Sequence, residues 1–384
     1  MVDRSPSSAR EALAAARRLV VKVGSAILTD DAGGVREQWL ASLCDDLANL
    51  RGENRDVVVV TSGAIALGRK RLGLKGALRL DEKQAASAAG QAALVAAWQR
   101  AIDRHDMAVA QILLTLEDTE NRRRYLNARA TFSTLLDIGA LPLVNENDTI
   151  ATAEIRYGDN DRLAAHAAQI IGADLLIILS DIDGVYDSDP RRNVNAAHLP
   201  LIEKISGDIE RAAAGPNAAS GVGSGGMASK IAAAKIAGAC GCATIIAAGS
   251  GANPIKAIFE NARATLIQPQ QSRERARRQW IAGRLKPLGE IVVDAGAAQA
   301  LLSGSSLLPA GVLQVRGDFQ RGDAVTIAAA DGGAIAQGLS AFSSLEIAAT
   351  AGRKSDEIET ILGYRRRPAI VEKNDLVLIR SGHE

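Results

Sequence analysis

The stretch VTSGAIALG, residues 60–68, closes a run of valines and passes through Ser62-Gly63 into a helix-like segment. An apolar strand that ends in a Gly-containing turn and feeds a helix is the repeating unit of a parallel α/β sheet. The same plan stands upstream in VVKVGSA, residues 20–26, where Gly24 lets the backbone turn just after Lys22. Apolar runs at 19–23, 57–61, 108–113, 141–145, 175–180 and 243–247 read as strands. Ala-rich or amphipathic stretches at 81–104, 118–136, 161–171 and 226–238 read as helices between them. Strands separated by helices need right-handed crossovers, which predicts a three-layer αβα sandwich with a mainly parallel sheet over residues 1–271.

Beyond this point the texture changes. Residues 272–286, SRERARRQWIAGRLK, carry six basic side chains and one acid, either as a solvated helix face or as a ligand surface. Residues 287–367 then hold closely spaced strand-like pieces with Gly turns (GEIVVDAG, GVLQVRGDF, GDAVTIAAA and AIAQGLSAF), which predicts a small β-rich domain. Residues 368–384 read as a C-terminal tail.

Composition narrows the function classes. Of 384 residues, 47% are hydrophobic but only 3% aromatic, so the core is built from Ala, Val, Ile and Leu. Lys and Arg number 45 against 44 acids, so no basic excess points to nucleic acid or a membrane surface. The three cysteines, Cys44, Cys240 and Cys242, make no disulfide framework, and the C-x-C pair sits in an apolar run without other metal-ligating partners. No signal-peptide core opens the chain, and no stretch of about 18 apolar residues occurs, so the expectation is a cytoplasmic protein.

Five segments carry chemistry. Lys22 stands at the carboxyl end of a strand, where open α/β sheets place ligands. Ser62 reads either as a helix N-cap or as part of a carboxylate site at the helix start. LVNENDTIATAEIRYGDNDRLAAHAA, residues 143–168, holds two acid–amide clusters, Asn145-Glu146-Asn147-Asp148 and Asp159-Asn160-Asp161. Turn and capping chemistry explains part of that pattern; holding an ammonium group, orienting lysines or positioning a Mg²⁺-nucleotide explains the rest. ILSDIDGVYDSDP, residues 178–190, sends Ser180 and Asp181 out of a buried strand. GVGSGGMASKIAAAK, residues 221–235, reads as a linker or as a phosphate cradle running into a helix that bears Lys230. It lacks the G-x-x-x-x-G-K-[ST] spacing, so any phosphate site here is of another kind.

In this order, VTSGAI, NEND, GDND and GSGGM-x-x-K resemble the amino acid kinase family, and within it the members that act on free glutamate. The likeness covers nearly the whole chain, and GSSLLPAGVLQVRGDFQRGDAVTI, residues 304–327, looks like the PUA domain that many such kinases carry. The resemblance implies ATP-dependent phosphorylation of the γ-carboxylate of L-glutamate to L-glutamate 5-phosphate, the opening step of proline synthesis. It implies that Lys22 and the 224–230 loop (Ser224, Gly225, Gly226, Met227, Ala228, Ser229 and Lys230) contact ATP, with Ser180 and Asp181 bordering the nucleotide. Ser62, Asp148 and Asn160 match glutamate-binding positions, and Asp161 the carboxylate that orients Lys22 and Lys230. Mg²⁺ is expected to arrive with ATP, with no protein ligand assigned to it. Feedback inhibition by L-proline and a homo-oligomeric state are also implied. Ala26 departs from the family's hydroxyl residue in the first loop.

The chemistry is consistent without the family. A glutamate side chain has an ordinary pKa near 4.3, so at neutral pH it is already a nucleophile and needs no general base. What it needs is charge neutralisation and in-line alignment at the transferring phosphoryl group. Two rivals come from other classes: an RNA-binding protein, which the basic stretches 272–286 and 365–367 permit, and a sensor that binds an amino acid without turnover.

Overall fold

The computed structural model describes residues 6–30, 32–150, 159–214, 226–276, 287–364 and 368–379. They fall into two compact units, Met1–Glu120 with Asn127–Arg273, and Glu274–Glu384, with Asn121–Leu126 counted in the second.

In the first unit the apolar runs become strands β1 (Arg18–Val23), β2 (Asp56–Thr61), β3 (Val109–Leu114), β4 (Leu141–Glu146) and β5 (Leu175–Ser180). They continue as β6 (Val185–Tyr186), β7 (His198–Leu199), β8 (Leu201–Ile202), β9 (Ala243–Ala248) and β10 (Ala264–Ile267). The helices are α1 (Ala9–Ala15), α2 (Ser25–Leu28), α3 (Glu37–Gly52), α4 (Ala64–Arg71), α5 (Leu80–Ile102) and α6 (Leu116–Glu120). After them come α7 (Arg122–Asp137, its residues up to Leu126 counted in the second unit), α8 (Asp159–Ile171), α9 (Gly207–Ala214), α10 (Met227–Ala239) and α11 (Pro254–Phe259). Eight strands form one sheet in the order β3-β4-β2-β1-β5-β9-β10-β8. The pairs from β3 through β9 are parallel, whereas β10 runs antiparallel to β9. The expected mainly parallel sandwich is thus observed, with an antiparallel turn-back near one edge.

Alternation along the strands sorts side chains onto two faces. Leu19, Val21 and Val23 of β1 join Val57, Val59, Leu175, Ile177 and Leu179 in the main core, against Leu13, Leu40, Leu43, Leu47, Leu94 and Trp98 of α1, α3 and α5. Each fully buried Leu or Val here contributes about 1.5–3 kcal/mol relative to exposure. The opposite face meets α8, which contacts β1, β2, β4 and β5, and α10, which contacts β5 and β9. Lys22 is out of step with Val21 and Val23, so it belongs to this second face.

The second unit is a five-stranded, mostly antiparallel sheet, β12-β11-β13-β14-β15, made of β11 (Gly289–Val293), β12 (Val312–Gly317), β13 (Ala324–Ala329), β14 (Ala334–Leu339) and β15 (Leu376–Leu378). Among the described residues only β11 and β13 of this sheet pair in parallel. Its own core gathers Ile291, Val293, Leu301, Phe319, Val325, Ile327, Phe342 and Ile347. The stretch read as a tail contributes β15, which pairs with β14. Residues 277–286 of the basic stretch and 365–367 lie outside the described residues. Among the described residues no helix is long and apolar enough to cross a membrane. Cys44 and Cys242 are buried and Cys240 half-buried, and burial pushes the Cys240 thiol up to about 11.

Candidate active site

The strand order reverses at β1 and β5: the chain runs from β1 to β2 on one side and returns to add β5 on the other. In open α/β sheets the crevice outside such a switch point, at the carboxyl ends of the strands, receives ligands. Pairing brings Val23 beside Thr61 and Leu179, so Lys22, Ser62 and Ser180 come out at one edge.

Three charges meet there. Asp161, the third residue of α8, is fully buried. Its Oδ1 lies 2.5 Å from Lys22 Nζ, and its Oδ2 accepts from Lys230 Nζ at 3.2 Å. Both lysines are only 6% exposed, so one carboxylate faces two ammonium groups and the trio keeps a net positive charge out of water. Burial pulls the Lys22 pKa below the ordinary lysine value and the neighbouring Lys230 pulls the same way, against the attraction of Asp161.

Lys230 also borders a cleft of about 490 Å³ lined by Ser180, Asp181, Tyr186, Asp189, Arg191, Gly226 and Met227 among others. Gly226 stands at the N-cap of α10 and, among the described residues, makes no side-chain cap there, a helix end of the kind that receives anions. Asp181 faces the cleft with Arg191 at 2.6 Å and the Ser180 hydroxyl at 3.1 Å. Partial burial raises its pKa, but those two partners outweigh it and the net shift is downward.

A second cluster forms beside the first. The Asn160 amide donates to Ser62 Oγ at 2.8 Å, Thr61 O at 3.2 Å and Asn145 Oδ1 at 3.2 Å. Its own Oδ1 is buried without a hydrogen-bond partner among the described residues. An unmet acceptor of this kind costs roughly 1–3 kcal/mol unless a ligand supplies a donor. Asp148, 6% exposed, accepts from the buried Ser87 hydroxyl at 2.5 Å. Ser62 does not cap α4: the capping position is Gly63, in the left-handed region at φ 108°, and the Ser62 hydroxyl is turned to Asn160 instead.

Of the residues singled out from sequence, Lys22, Asp161 and Lys230 are brought together, as are Ser62 and Asn160, with Asp148 held by Ser87. Ser180, Asp181, Gly226 and Met227 line the cleft. Ala228 and Ser229 lie on α10, and Ser224 and Gly225 lie outside the described residues. Ala26 is exposed on α2. Ser87, Arg191 and Tyr186 were not anticipated. Ser87 is a lone hydroxyl in an Ala-rich run, a signal only once the helix face is known.

Residues 17–248 match the amino acid kinase family and residues 289–362 the PUA domain. Over 373 residues the chain is 54% identical to a glutamate 5-kinase of Agrobacterium fabrum, covering 97% of this chain and 95% of that protein. The chain belongs to the amino acid kinase family, in its glutamate 5-kinase branch. A Caulobacter vibrioides glutamate 5-kinase is 54% identical over 366 residues, with 95% of this chain and 97% of that one covered. Among solved structures, a Bacillus anthracis UMP kinase aligns with 67% of this chain and 97% of its own, at 13% identity and a TM-score of 0.45. The family membership expected from the motifs therefore stands, and so does the PUA domain.

Proposed function

We propose that this chain transfers the γ-phosphoryl group of ATP to the γ-carboxylate of L-glutamate, giving L-glutamate 5-phosphate and ADP, with catalysis in residues 1–271. The observation that carries the reading is the buried Lys22–Asp161–Lys230 trio beside the cleft, because a net positive charge kept from water is suited to an anion. The named activity of relatives at 54% identity supports the choice of reaction.

In this reading Ser180, Asp181 and the start of α10 at Gly226–Met227 border the nucleotide. Lys22 and Lys230 face the phosphates, and Asp161 holds both ammonium groups in place. The carboxylate oxygen forms the new bond to phosphorus while the bond to the ADP oxygen breaks, so no proton moves. Negative charge spread over the transferring group is met by the lysines, each contact being worth roughly 3–4 kcal/mol by comparison with single oxyanion donors. Mg²⁺ is taken to arrive with ATP, where it would supply counter-charge to the phosphates, and no side chain of this chain is assigned to it.

Asp148 pairs with the substrate α-ammonium. The open Asn160 Oδ1 accepts a further N–H from it, and Ser62 meets a carboxylate. L-Proline shares the ammonium and α-carboxylate and would compete at this cluster. A homo-oligomer and a cytoplasmic location belong to the same proposal.

The test is ADP release by purified protein with ATP and Mg²⁺, comparing L-glutamate with L-aspartate, N-acetylglutamate and carbamate. Turnover with L-glutamate above the other three is the expected result. Turnover with another acceptor alone would overturn the substrate, and no turnover with any would overturn the kinase reading.

A further inference from the structure

We infer that Ser87 is a positioning residue for the amino-acid substrate: its hydroxyl fixes the carboxylate of Asp148. This rests on the reading of Asp148 as the partner of the substrate ammonium.

Asp148 sits just beyond the end of β4, on a turn in which Ile150 N–H donates to Asn147 O and the Thr149 hydroxyl donates to Asn147 Oδ1. A carboxylate on a turn needs support from a rigid element if it is to meet a ligand in one geometry. Ser87 supplies that support from the middle of α5, a helix of 23 residues. The bond is 2.5 Å long and joins residues 61 positions apart, with Ser87 1% and Asp148 6% exposed. A hydroxyl-to-carboxylate bond of that length is charge-assisted and among the stronger kinds.

Serine inside a helix usually faces solvent or bonds back to the preceding turn. On α5 the buried residues are Ala86, Ser87, Gly90, Leu94, Ala97, Trp98 and Ile102. Only Ser87 and Trp98 carry side-chain polar atoms, and both are spent on the carboxyl end of the sheet. Trp98 Nε1–H donates to Thr61 Oγ1 at 3.3 Å, next to Ser62, while Ser87 takes Asp148.

The height of Ser87 is fixed independently. A Cβ on Gly68 would stand 1.7 Å from the Ala86 carbonyl oxygen, and one on Gly90 would stand 1.8 Å from the Ala64 carbonyl oxygen. The backbones of α4 and α5 therefore touch at the very turn that bears Ser87. Since α4 begins directly after Ser62-Gly63, this one crossing sets both the hydroxyl that meets Asn160 and the hydroxyl that meets Asp148.

The experiment measures kcat and the KM values for L-glutamate and ATP in the wild type, Ser87→Ala, Asp148→Asn and the double variant, with thermal unfolding of each. Alanine is a better helix former than serine, so α5 itself is kept in Ser87→Ala, and the unfolding measurement reads the cost of the carboxylate that loses its donor. The expected result is a KM for L-glutamate raised on the order of tenfold in Ser87→Ala, a typical loss for one charge-assisted bond. KM for ATP and kcat stay within twofold, and Ser87→Ala adds little on top of Asp148→Asn. If Asp148→Asn raises the KM for L-glutamate and Ser87→Ala does not, the inference fails while the reading of Asp148 stands. If neither variant moves it, both fail. A Ser87→Ala variant that lowers kcat and shifts both KM values alike would make the residue merely structural and would also overturn the inference.

Discussion

The two ends of the first unit's central strands use the same kinds of side chain in opposite ways. At the amino end, Arg18 pairs with Asp56 at 2.6 Å and Arg273 with Asp174 at 2.5 Å, with side-chain exposures between 28% and 52%. Asp174 also accepts from the backbone N–H groups of Arg17 and Arg18. These charges are near balance and reach water, so they fasten strands and cost little to keep. At the carboxyl end, Lys22, Asp161 and Lys230 are 8%, 1% and 8% exposed in their side chains, and positive charge is in excess. Asp181 also attracts Lys22, but it is exposed and already paired with Arg191, so the buried charge remains in excess, and that excess supports the proposed site at the carboxyl end.

The largest effect follows from removing the shared carboxylate. Asp161→Asn leaves two buried ammonium groups facing each other. The expected loss is about 3–5 kcal/mol of stability, read by denaturant unfolding, together with loss of turnover. An Asp161→Asn protein as stable as the wild type would break the contrast between the two ends. A smaller effect is expected in pH dependence. Burial holds Lys22 below the ordinary lysine value of 10.5, so its proton is lost earlier as pH rises. Turnover that needs the charged form is then full on the acid side of that transition and falls through it, and Lys22→Arg moves the fall to higher pH. A limb unchanged in Lys22→Arg would assign it to another group. The smallest effect belongs to the amino end. Arg273→Ala should cost about 0.2–1 kcal/mol by thermal or denaturant unfolding, as for other exposed pairs, and leave kcat and KM unchanged.

Much of this division was legible in the sequence because strand ends and helix starts advertise themselves. Lys22, Ser180 and Asp181 could be placed at one edge from the apolar runs that precede them, and Asn160, Asp161 and Lys230 from the helices that follow. What stayed hidden depended on three-dimensional facing. That Ser62 does not cap α4 turned on one bond from Asn160, 98 positions away. Ser87 could not be told from the alanines around it until the Gly68–Gly90 contact fixed which face of α5 is buried. Strands β8 and β10, two and four residues long, were too short for their periodicity to register, and β15 lies in a stretch whose apolar residues come in two unbroken runs, 369–371 and 376–379, without alternation.

The most direct test of the central claim is to trap the product. With ATP, Mg²⁺ and L-glutamate, hydroxylamine should convert an acyl phosphate into a γ-glutamyl hydroxamate, and Lys230→Ala should lower its rate of formation by about a hundredfold to a thousandfold without loss of fold. Hydroxamate formed at the wild-type rate in Lys230→Ala, or none formed by the wild type, would contradict the assignment of the buried lysines to phosphoryl transfer.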